Sequence, residues 1–318
     1  MEYVILIVSL VGIVLGADFL VTGAVSIARK YKVSDFVIGA AIIGVGTSMP
    51  EMTVSFLGAL NGNADVAIGN VVGSNIFNVF GILGLTAMFF PVTFGRENLK
   101  FDIPFCVGVS VLVSLLFFNF FLGTDNCIGR FDGIILLLSF AAFMWISFYR
   151  DKKMKPQAIR QEDNEPHVGP MWISVLKVIG GLAVLVFSCD IFVDNAVLIA
   201  KSFGVSDSFI SLTLIACGTS LPELAASIAA AIKKNTSMAL GNIVGSNIFN
   251  IALILGLCSQ VSPLTSTGIG IVDFMVMIAA ALVLFIFGKD CKISRGEGAL
   301  LFICFVAYTW YLISIQLA

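Results

Sequence analysis

Charged side chains are scarce in this chain. Of its 318 residues only 12% are Asp, Glu, Lys or Arg, and 58% are hydrophobic, whereas about a quarter of the residues in soluble domains are charged. The composition therefore excludes a soluble globular domain and indicates an integral membrane protein. A helix crosses a bilayer with roughly 20 apolar residues. Such stretches occupy residues 3–28, 36–60, 66–91, 102–122, 131–149, 172–200, 208–232, 238–262, 267–288 and 297–316. We predict an all-α membrane protein with ten transmembrane helices.

Histidine and closely spaced cysteines are nearly absent as well. His167 is the only histidine, and the seven cysteines stand singly, with no CxxC spacing. This excludes a histidine-based metal centre and argues against a disulfide framework or a thiolate metal site. The sequence also lacks a nucleophile paired with a base and any cofactor motif. We therefore expect a protein that is not an enzyme, with no cofactor and no nucleic-acid partner.

Positive charge is nearly missing from one side of the predicted membrane. With ten helices, the loops after odd-numbered helices share one side and hold 16 of the 18 Lys and Arg residues, and the other side has only Arg130 and Lys201. Because basic loops stay in the cytoplasm, both termini are expected outside the cell and the central loop inside. We predict a multi-pass cell-membrane protein that functions as a monomer.

The chain contains an internal duplication. An offset of 172 residues places GTSMPE at 46–51 on GTSLPE at 218–223, and GNVVGSNIFN at 69–78 on GNIVGSNIFN at 241–250. Nine of the ten residues in the longer motif are identical. The two copies indicate two related units within one chain.

The duplication divides the chain into three parts. We assign a first five-helix repeat to residues 1–149, a polar cytoplasmic linker to 150–171 and a second five-helix repeat to 172–318. Because five is an odd number, the two repeats must enter the membrane with opposite orientations. Inverted repeats with interrupted helices are an architecture of secondary transporters.

The shorter motif joins a proline and a glutamate inside an apolar segment. Pro50 has no main-chain N–H and therefore frees the carbonyl of Gly46. Thr47, Ser48 and Glu51 share one face of a helix by their spacing. The second copy offers the same groups at Gly218, Thr219, Ser220, Pro222 and Glu223. Each motif thus predicts a broken helix rich in oxygen atoms.

The longer motif adds hydroxyl and amide oxygens. Ser74 and Asn78 lie four residues apart on one helical face, as do Ser246 and Asn250. Carboxylate, hydroxyl, amide and carbonyl oxygens bind hard cations. The two motifs therefore predict a site for sodium or calcium and not for zinc, copper or iron.

Two carboxylates inside a membrane repel each other unless a cation or protons neutralise them. Two negative charges match one Ca2+, two Na+ or two H+. An antiporter needs this equivalence, because competing ions neutralise one site in turn and the empty charged site is costly to move through the membrane. A passive cation channel is the alternative class, but the inverted repeat favours a transporter that rocks around one site.

In its paired motifs and its two inverted five-helix halves, the sequence resembles the calcium/cation antiporter superfamily, particularly the prokaryotic sodium/calcium exchanger branch. The resemblance implies Na+/Ca2+ exchange by alternating access at a midplane site. It implies that Glu51 and Glu223 bind Ca2+ together with the carbonyls of Thr47 and Thr219. It further implies flanking Na+ sites lined by Gly44, Ser48, Ser74, Ala216, Ser220 and Ser246.

One position departs from part of that superfamily. Some sodium/calcium exchangers carry aspartate where this chain has Asn250, and both repeats here carry asparagine, at Asn78 and Asn250. The predicted site is one charge less negative, so the number of Na+ ions per Ca2+ stays open. Ca2+/H+ exchange and K+-dependent exchange stay as alternatives. The short linker also lacks the large calcium-sensing domains of animal exchangers, so no such regulation is expected.

Other polar residues of the repeats have less defined roles. For Asp18 and its counterpart Asp190, a proton relay and a hydrogen bond to a nearby helix end both remain open. The remaining asparagines of the longer motif are expected to cap helices or to make interhelical bonds, not to bind ions. These are Asn70, Asn75, Asn242 and Asn247.

Overall fold

The computed structural model describes residues 2–118, 126–153, 170–203, 216–266 and 268–317, which are almost entirely helical. The first half contains α1 (Glu2–Tyr31), α2 (Asp35–Thr47), α3 (Met49–Leu60), α4 (Ala64–Phe89), β1 (Val92–Thr93), α5 (Asn98–Phe118), β2 (Cys127–Ile128) and α6 (Arg130–Lys153). The second half contains α7 (Met171–Ser202), α8 (Ala216–Gly218), α9 (Leu221–Ile232), α10 (Thr236–Val261), β3 (Leu264–Thr265), α11 (Ile271–Asp290), β4 (Lys292–Ile293) and α12 (Arg295–Leu317).

The helices have the length and composition of membrane spans. Among the described residues, eight helices can each cross a membrane, and α2 with α3 forms a ninth, bent span. The remaining predicted helix, the seventh, at 208–232, is described only from Ala216 onward, where α8 and the apolar α9 lie. The prediction of an all-α membrane protein is confirmed. Most of the predicted linker, including His167, lies outside the described residues, and the boundaries of the repeats and linker stay predictions.

The Pro-Glu motif interrupts its helix in both halves. α2 and α3 meet at Ser48 with a bend of 48°. Pro50 lies in the first turn of α3, where the missing N–H breaks no hydrogen bond of that helix. Ser220 and Pro222 occupy the equivalent places at the start of α9. The predicted interruption therefore places each glutamate in the first turn of a new helix.

The longer motif lies beside a second irregularity of the helices. α4 contains a π-helical segment at Phe77–Leu83, and α10 contains one at Phe249–Leu255. α2 contains a third, at Gly39–Gly44, just before the Pro-Glu motif. π-helical turns are rare and are frequently found at functional sites. The segments of α4 and α10 carry Asn78 and Asn250.

α1 and α7 pack against each other in antiparallel directions. Gly16 of α1 lies against Leu185 of α7, and Gly23, further along α1, lies against Ser174, which comes earlier in α7. A methyl group at Gly16 would be 2.6 Å from the Leu185 main-chain nitrogen, so glycine permits the close approach. These two helices are the equivalent first helices of the two repeats. Their opposite directions show that the repeats are inverted.

Short strands join the two repeats. β1 pairs with β4, and β2 pairs with β3, both in antiparallel register. β1 and β4 follow the third and ninth predicted helices, whereas β2 and β3 follow the fourth and eighth. Each pair therefore joins loops that an alternating ten-helix path places on the same side of the membrane.

The helices that carry the longer motif lie at the centre of the bundle. Nearly all of the α10 span and most of the α4 span are buried, whereas α1, α6, α7 and α12 expose most of their surface. The exposed side chains of the outer helices include Trp145, Trp172 and Trp310. Large apolar side chains on the outside are expected where a helix faces lipid. The motif residues are thus shielded from that surface.

Candidate cation-binding site

Glu51 and Glu223 form the acidic centre of the site. Each lies in the first turn of its helix, α3 or α9, and each is fully buried. The helix N-terminus carries partial positive charge, which favours a carboxylate there. Ser48, three residues before Glu51, contacts Glu223, and Ser220, three residues before Glu223, contacts Glu51. The structure thus brings together the two charges that the sequence places 172 residues apart.

Each carboxylate accepts a hydrogen bond from a serine of the other repeat. Ser220 Oγ donates to Glu51 Oε1 at 2.7 Å, and Ser48 Oγ donates to Glu223 Oε1 at 2.8 Å. Helical spacing alone predicts that Ser48 lies beside Glu51 of its own motif. The structure differs because the helix is interrupted at Ser48, whose φ of −82° and ψ of 10° end α2. The serines therefore connect the two halves of the site.

The threonine hydroxyls face asparagines of the opposite repeat. Thr47 Oγ1 shares its one hydrogen between the Ile43 carbonyl at 3.0 Å and Asn242 Oδ1 at 3.3 Å. Thr219 Oγ1 donates to Asn70 Oδ1 at 3.5 Å. These contacts leave the main-chain carbonyls of both threonines as the groups that could bind an ion.

Asn78 and Asn250 lie between the repeats with their carbonyl oxygens free. Asn78 Nδ2 donates to Asn247 Oδ1 at 2.9 Å, and Asn250 Nδ2 donates to Asn75 Oδ1 at 3.2 Å. Asn75 Nδ2 in turn donates to the Asn247 carbonyl at 3.2 Å. Asn75 and Asn247 therefore make the interhelical bonds expected from the sequence. Their contacts orient the amides of Asn78 and Asn250.

The remaining predicted ligands lie at the edges of this cluster. Ser74 Oγ accepts a hydrogen bond from Ser220 Oγ at 3.2 Å, which places it next to Glu51. Ser246 Oγ donates to the Gly44 carbonyl at 3.3 Å. Ala216 is the first residue of α8, and its side chain lies outside the described part.

Four buried oxygens of the cluster have no hydrogen-bond partner among the described residues. They are Glu51 Oε2, Glu223 Oε2, Asn78 Oδ1 and Asn250 Oδ1. An unpaired polar atom in a dry interior is unfavourable, and an unpaired charge is more so. In the described part of the chain no three His, Cys, Asp or Glu side chains could hold a metal ion together. Two carboxylates with neutral oxygens fit a hard cation such as Ca2+ or Na+.

Ser55 and Ser227 are two further residues that the sequence interpretation missed. Ser55 Oγ accepts a hydrogen bond from Asn70 Nδ2, and Ser227 Oγ accepts one from Asn242 Nδ2, both at 2.9 Å. Each serine follows its glutamate by four residues. The offset of 172 residues between them was a signal that could have identified the pair.

The inverted helical halves and the buried oxygen cluster define an ion transporter of the secondary type. The model of the sodium/calcium exchanger protein family matches residues 1–149 and 173–314. The chain belongs to this family. It is therefore a transporter and not an enzyme, and it is an integral multi-pass membrane protein.

Relatives of known name match nearly the whole chain. A putative antiporter, CaxA, of Alkalimonas amylolytica is 38% identical over 320 residues, with 98% of each chain covered. The sodium/calcium exchanger MaX1 of Methanosarcina acetivorans is 32% identical, with 96% of this chain and 97% of the relative covered.

A solved structure shares the fold. The sodium-calcium exchanger NCX_Mj, soaked without Na+ and Ca2+, superposes with a TM-score of 0.83 at 30% identity, and 98% of each chain is covered. With the family match, this similarity makes the chain a cation exchanger of the NCX_Mj type.

Proposed function

We propose that the protein exchanges Na+ for Ca2+ by alternating access at the site formed by Glu51 and Glu223. The observation that carries this proposal is the set of four unpaired buried oxygens around two carboxylates from inverted repeats. Sodium and calcium are named for the relatives MaX1 and NCX_Mj. The proposal assigns the exchange of these two ions to this chain as well.

The ligand set suits calcium. Ca2+ binds six to eight oxygen atoms in flexible geometry. The free oxygens of Glu51, Glu223, Asn78 and Asn250, with the carbonyls of Thr47 and Thr219, supply carboxylate, amide and main-chain ligands. Two negative charges neutralise one Ca2+. Flanking Na+ ions would use Ser48, Ser74, Ser220 and Ser246 with the carbonyls of Gly44 and Ala216.

Exchange follows from the electrostatics of the empty site. Two unneutralised carboxylates in a low-dielectric interior repel each other. A cation between them removes this repulsion, so the cation-bound state is the more stable one. The site therefore crosses between its outward-open and inward-open forms with Ca2+ or with Na+ bound, and the empty charged form crosses poorly. Inward flow of Na+ then drives Ca2+ out of the cytoplasm.

The orientation of the chain is part of the proposal. The 16 basic residues of the odd-numbered loops, against Arg130 and Lys201 on the other side, put both termini outside and the linker in the cytoplasm. A protease added to intact cells is expected to remove a tag from the C-terminus. Retention of the tag, with its removal only after lysis, would reverse the orientation.

Ca2+/H+ exchange is the second candidate, because Asn78 and Asn250 leave the site with only two carboxylates. Two protons neutralise Glu51 and Glu223 as two Na+ ions do. K+-dependent exchange is a variant in which a further cation occupies a neighbouring oxygen site. Na+/Ca2+, Ca2+/H+ and K+-dependent exchange differ in the ion whose gradient drives Ca2+ transport. An experiment that varies one ion gradient at a time distinguishes them.

The test uses purified protein in liposomes loaded with Na+. Dilution into Na+-free buffer is expected to drive uptake of radioactive Ca2+, and liposomes loaded with choline serve as the control. If Ca2+ uptake does not depend on the Na+ gradient but depends on a pH gradient, the coupling ion is H+ and not Na+. A dependence on K+ in addition to Na+ would indicate K+-dependent exchange. Electrical current at rates far above those of transporters, with no counter-ion, would indicate a channel.

A further inference from the structure

Asn242 connects the two repeats immediately behind the carboxylates. It lies on α10 and is 1% exposed. Its Oδ1 accepts the hydrogen bond from Thr47 Oγ1 at 3.3 Å. Its Nδ2 donates to the main-chain carbonyl of Glu223 at 3.2 Å and to Ser227 Oγ at 2.9 Å. One amide therefore joins the end of α2 in the first repeat to the start of α9 in the second.

Asn70 makes the equivalent connection with the repeats exchanged. Its Oδ1 accepts from Thr219 Oγ1 at 3.5 Å, and its Nδ2 donates to the main-chain carbonyl of Glu51 at 3.1 Å and to Ser55 Oγ at 2.9 Å. Every partner of Asn70 is the 172-residue counterpart of a partner of Asn242. A complete network that is present twice indicates a requirement of the site and not an accident of packing.

The network divides the groups around the site into two units. Thr47 and the main-chain carbonyl of Glu223 are joined through Asn242. Thr219 and the main-chain carbonyl of Glu51 are joined in the same way through Asn70. Thr47 Oγ1 contacts Asn242 as well as the Ile43 carbonyl of its own helix, and Thr219 Oγ1 contacts Asn70, so each threonine is tied to the glutamate-bearing helix of the other repeat. Each unit thus contains one carbonyl and one carboxylate, from different repeats.

We propose that Asn242 and Asn70 are positioning residues for the transported ion. Each fixes the threonine of one repeat against the glutamate-bearing helix of the other, so that carbonyl and carboxylate meet Ca2+ as one preassembled unit. This inference rests on the proposed function and assigns roles to two residues outside its ligand set. The Asn242 unit is the tighter one, because Asn242 is fully buried whereas Asn70 is partly exposed and its threonine contact is longer.

The test compares Asn242→Leu with Thr47→Val and Thr47→Ser. Equilibrium binding of radioactive Ca2+ to the purified protein is measured together with exchange in liposomes. Loss of the contact between Asn242 and Thr47, which Asn242→Leu and Thr47→Val both remove, is expected to weaken Ca2+ binding about tenfold. The KM for Ca2+ should rise by a similar factor, with a smaller change in maximal rate. Thr47→Ser keeps the hydroxyl and should lose much less Ca2+ affinity than Thr47→Val.

The double variant tests whether the two residues act as one unit. Asn242→Leu with Thr47→Val should bind Ca2+ no more weakly than the worse single variant, because both remove the same contact. If the losses of Ca2+ affinity in the two single variants add up in the double variant, the proposal is overturned. It is also overturned if Asn242→Leu folds and binds Ca2+ with wild-type affinity, with only its melting temperature lowered. If Asn242→Leu does not fold, the Ca2+ affinities of Thr47→Val and Thr47→Ser test the proposal in its place. Asn70→Leu is expected to have the smaller effect.

The matched control is Ser227→Ala. It removes one of the three partners of the Asn242 side chain but leaves its contacts with Thr47 and with the Glu223 carbonyl, so Ca2+ affinity should stay within about twofold of the wild type. Absence of Na+-driven exchange in the wild-type protein would contradict the proposed function. Active wild-type protein and unchanged affinity in Asn242→Leu would contradict the inference alone.

Discussion

Ser220 donates its hydroxyl hydrogen to Glu51 at 2.7 Å, although the two residues are 169 positions apart and belong to different repeats. The mirror contact joins Ser48 to Glu223 at 2.8 Å. Each carboxylate is therefore held by the repeat that does not contain it. In the proposed mechanism, movement of one repeat against the other would change the environment of both charges.

Glu51→Gln and Glu223→Gln should each abolish exchange and leave the protein folded. The amide keeps the shape of the side chain but removes one of the two charges that neutralise Ca2+. Ca2+ uptake in liposomes and the melting temperature are the two measurements. Wild-type transport by either variant would contradict the proposed site.

Ser220→Ala is expected to reduce Ca2+ affinity at least about tenfold, because a hydrogen bond to a carboxylate contributes about 1.5–3 kcal/mol and holds Glu51 Oε2 towards the site. Ser48→Ala should act similarly on Glu223. Ser139→Ala is the control, since Ser139 bonds only to the Leu136 carbonyl of its own helix among the contacts described. Equal effects of all three substitutions on Ca2+ binding would show that the serine–carboxylate bonds have no special role.

Asn250→Asp should strengthen cation binding and change the Na+ dependence of exchange. The substitution adds a third carboxylate to a buried site and replaces the amide that donates to Asn75. Initial rates of Ca2+ uptake measured over a series of Na+ concentrations give the apparent Na+ affinity and cooperativity. Asn195→Asp adds the same charge on α7, where Asn195 bonds to the Ile191 carbonyl, and should leave both quantities unchanged. An unchanged Na+ dependence in Asn250→Asp would remove that position from the ion site.

Asp18→Asn should leave the pH dependence of exchange unchanged. Asp18 forms an ion pair with Lys233 at 2.6 Å, and Lys233 lies at the end of α9 and also donates to Thr22. Asp18 thus contacts a side chain at the end of α9, and this contact tests neither of the two roles left open by the sequence. The pair is partly exposed, so its loss should lower the free energy of unfolding by no more than about 1 kcal/mol. A shifted pH profile would restore the proton-relay role.

Gly181→Ala should destabilise the packing of α1 against α7. A methyl group there would lie 2.5 Å from the Leu20 main-chain nitrogen, and overpacking of this kind costs about 1–3 kcal/mol. Gly180→Ala is the control on the same helix, because no described atom lies within 4 Å of its methyl position. Melting temperatures in detergent measure the difference. A melting temperature for Gly181→Ala equal to that of Gly180→Ala would show that the close approach is not required.

The oxygen donors of the site could be predicted because the repeat marks them twice. Glu51, Asn78 and their counterparts stand out in an apolar chain, and the structure places them in one buried cluster. Their hydrogen-bond partners could not be predicted in the same way. Ser48 was assigned to its own motif by helical spacing, but the interruption of the helix turns it to the opposite glutamate.

The sequence by itself determined the membrane class, the duplication and its inversion, and the chemical types of the site residues. These features depend on composition, on the positions of apolar segments and on an odd number of helices in each repeat. All of these can be determined from the linear sequence. Only the tertiary structure decided which hydroxyl meets which carboxylate and which amide holds which threonine. Those contacts join residues more than 140 positions apart, and they depend on how two inverted halves pack. Helical spacing within one motif carries no information about that packing.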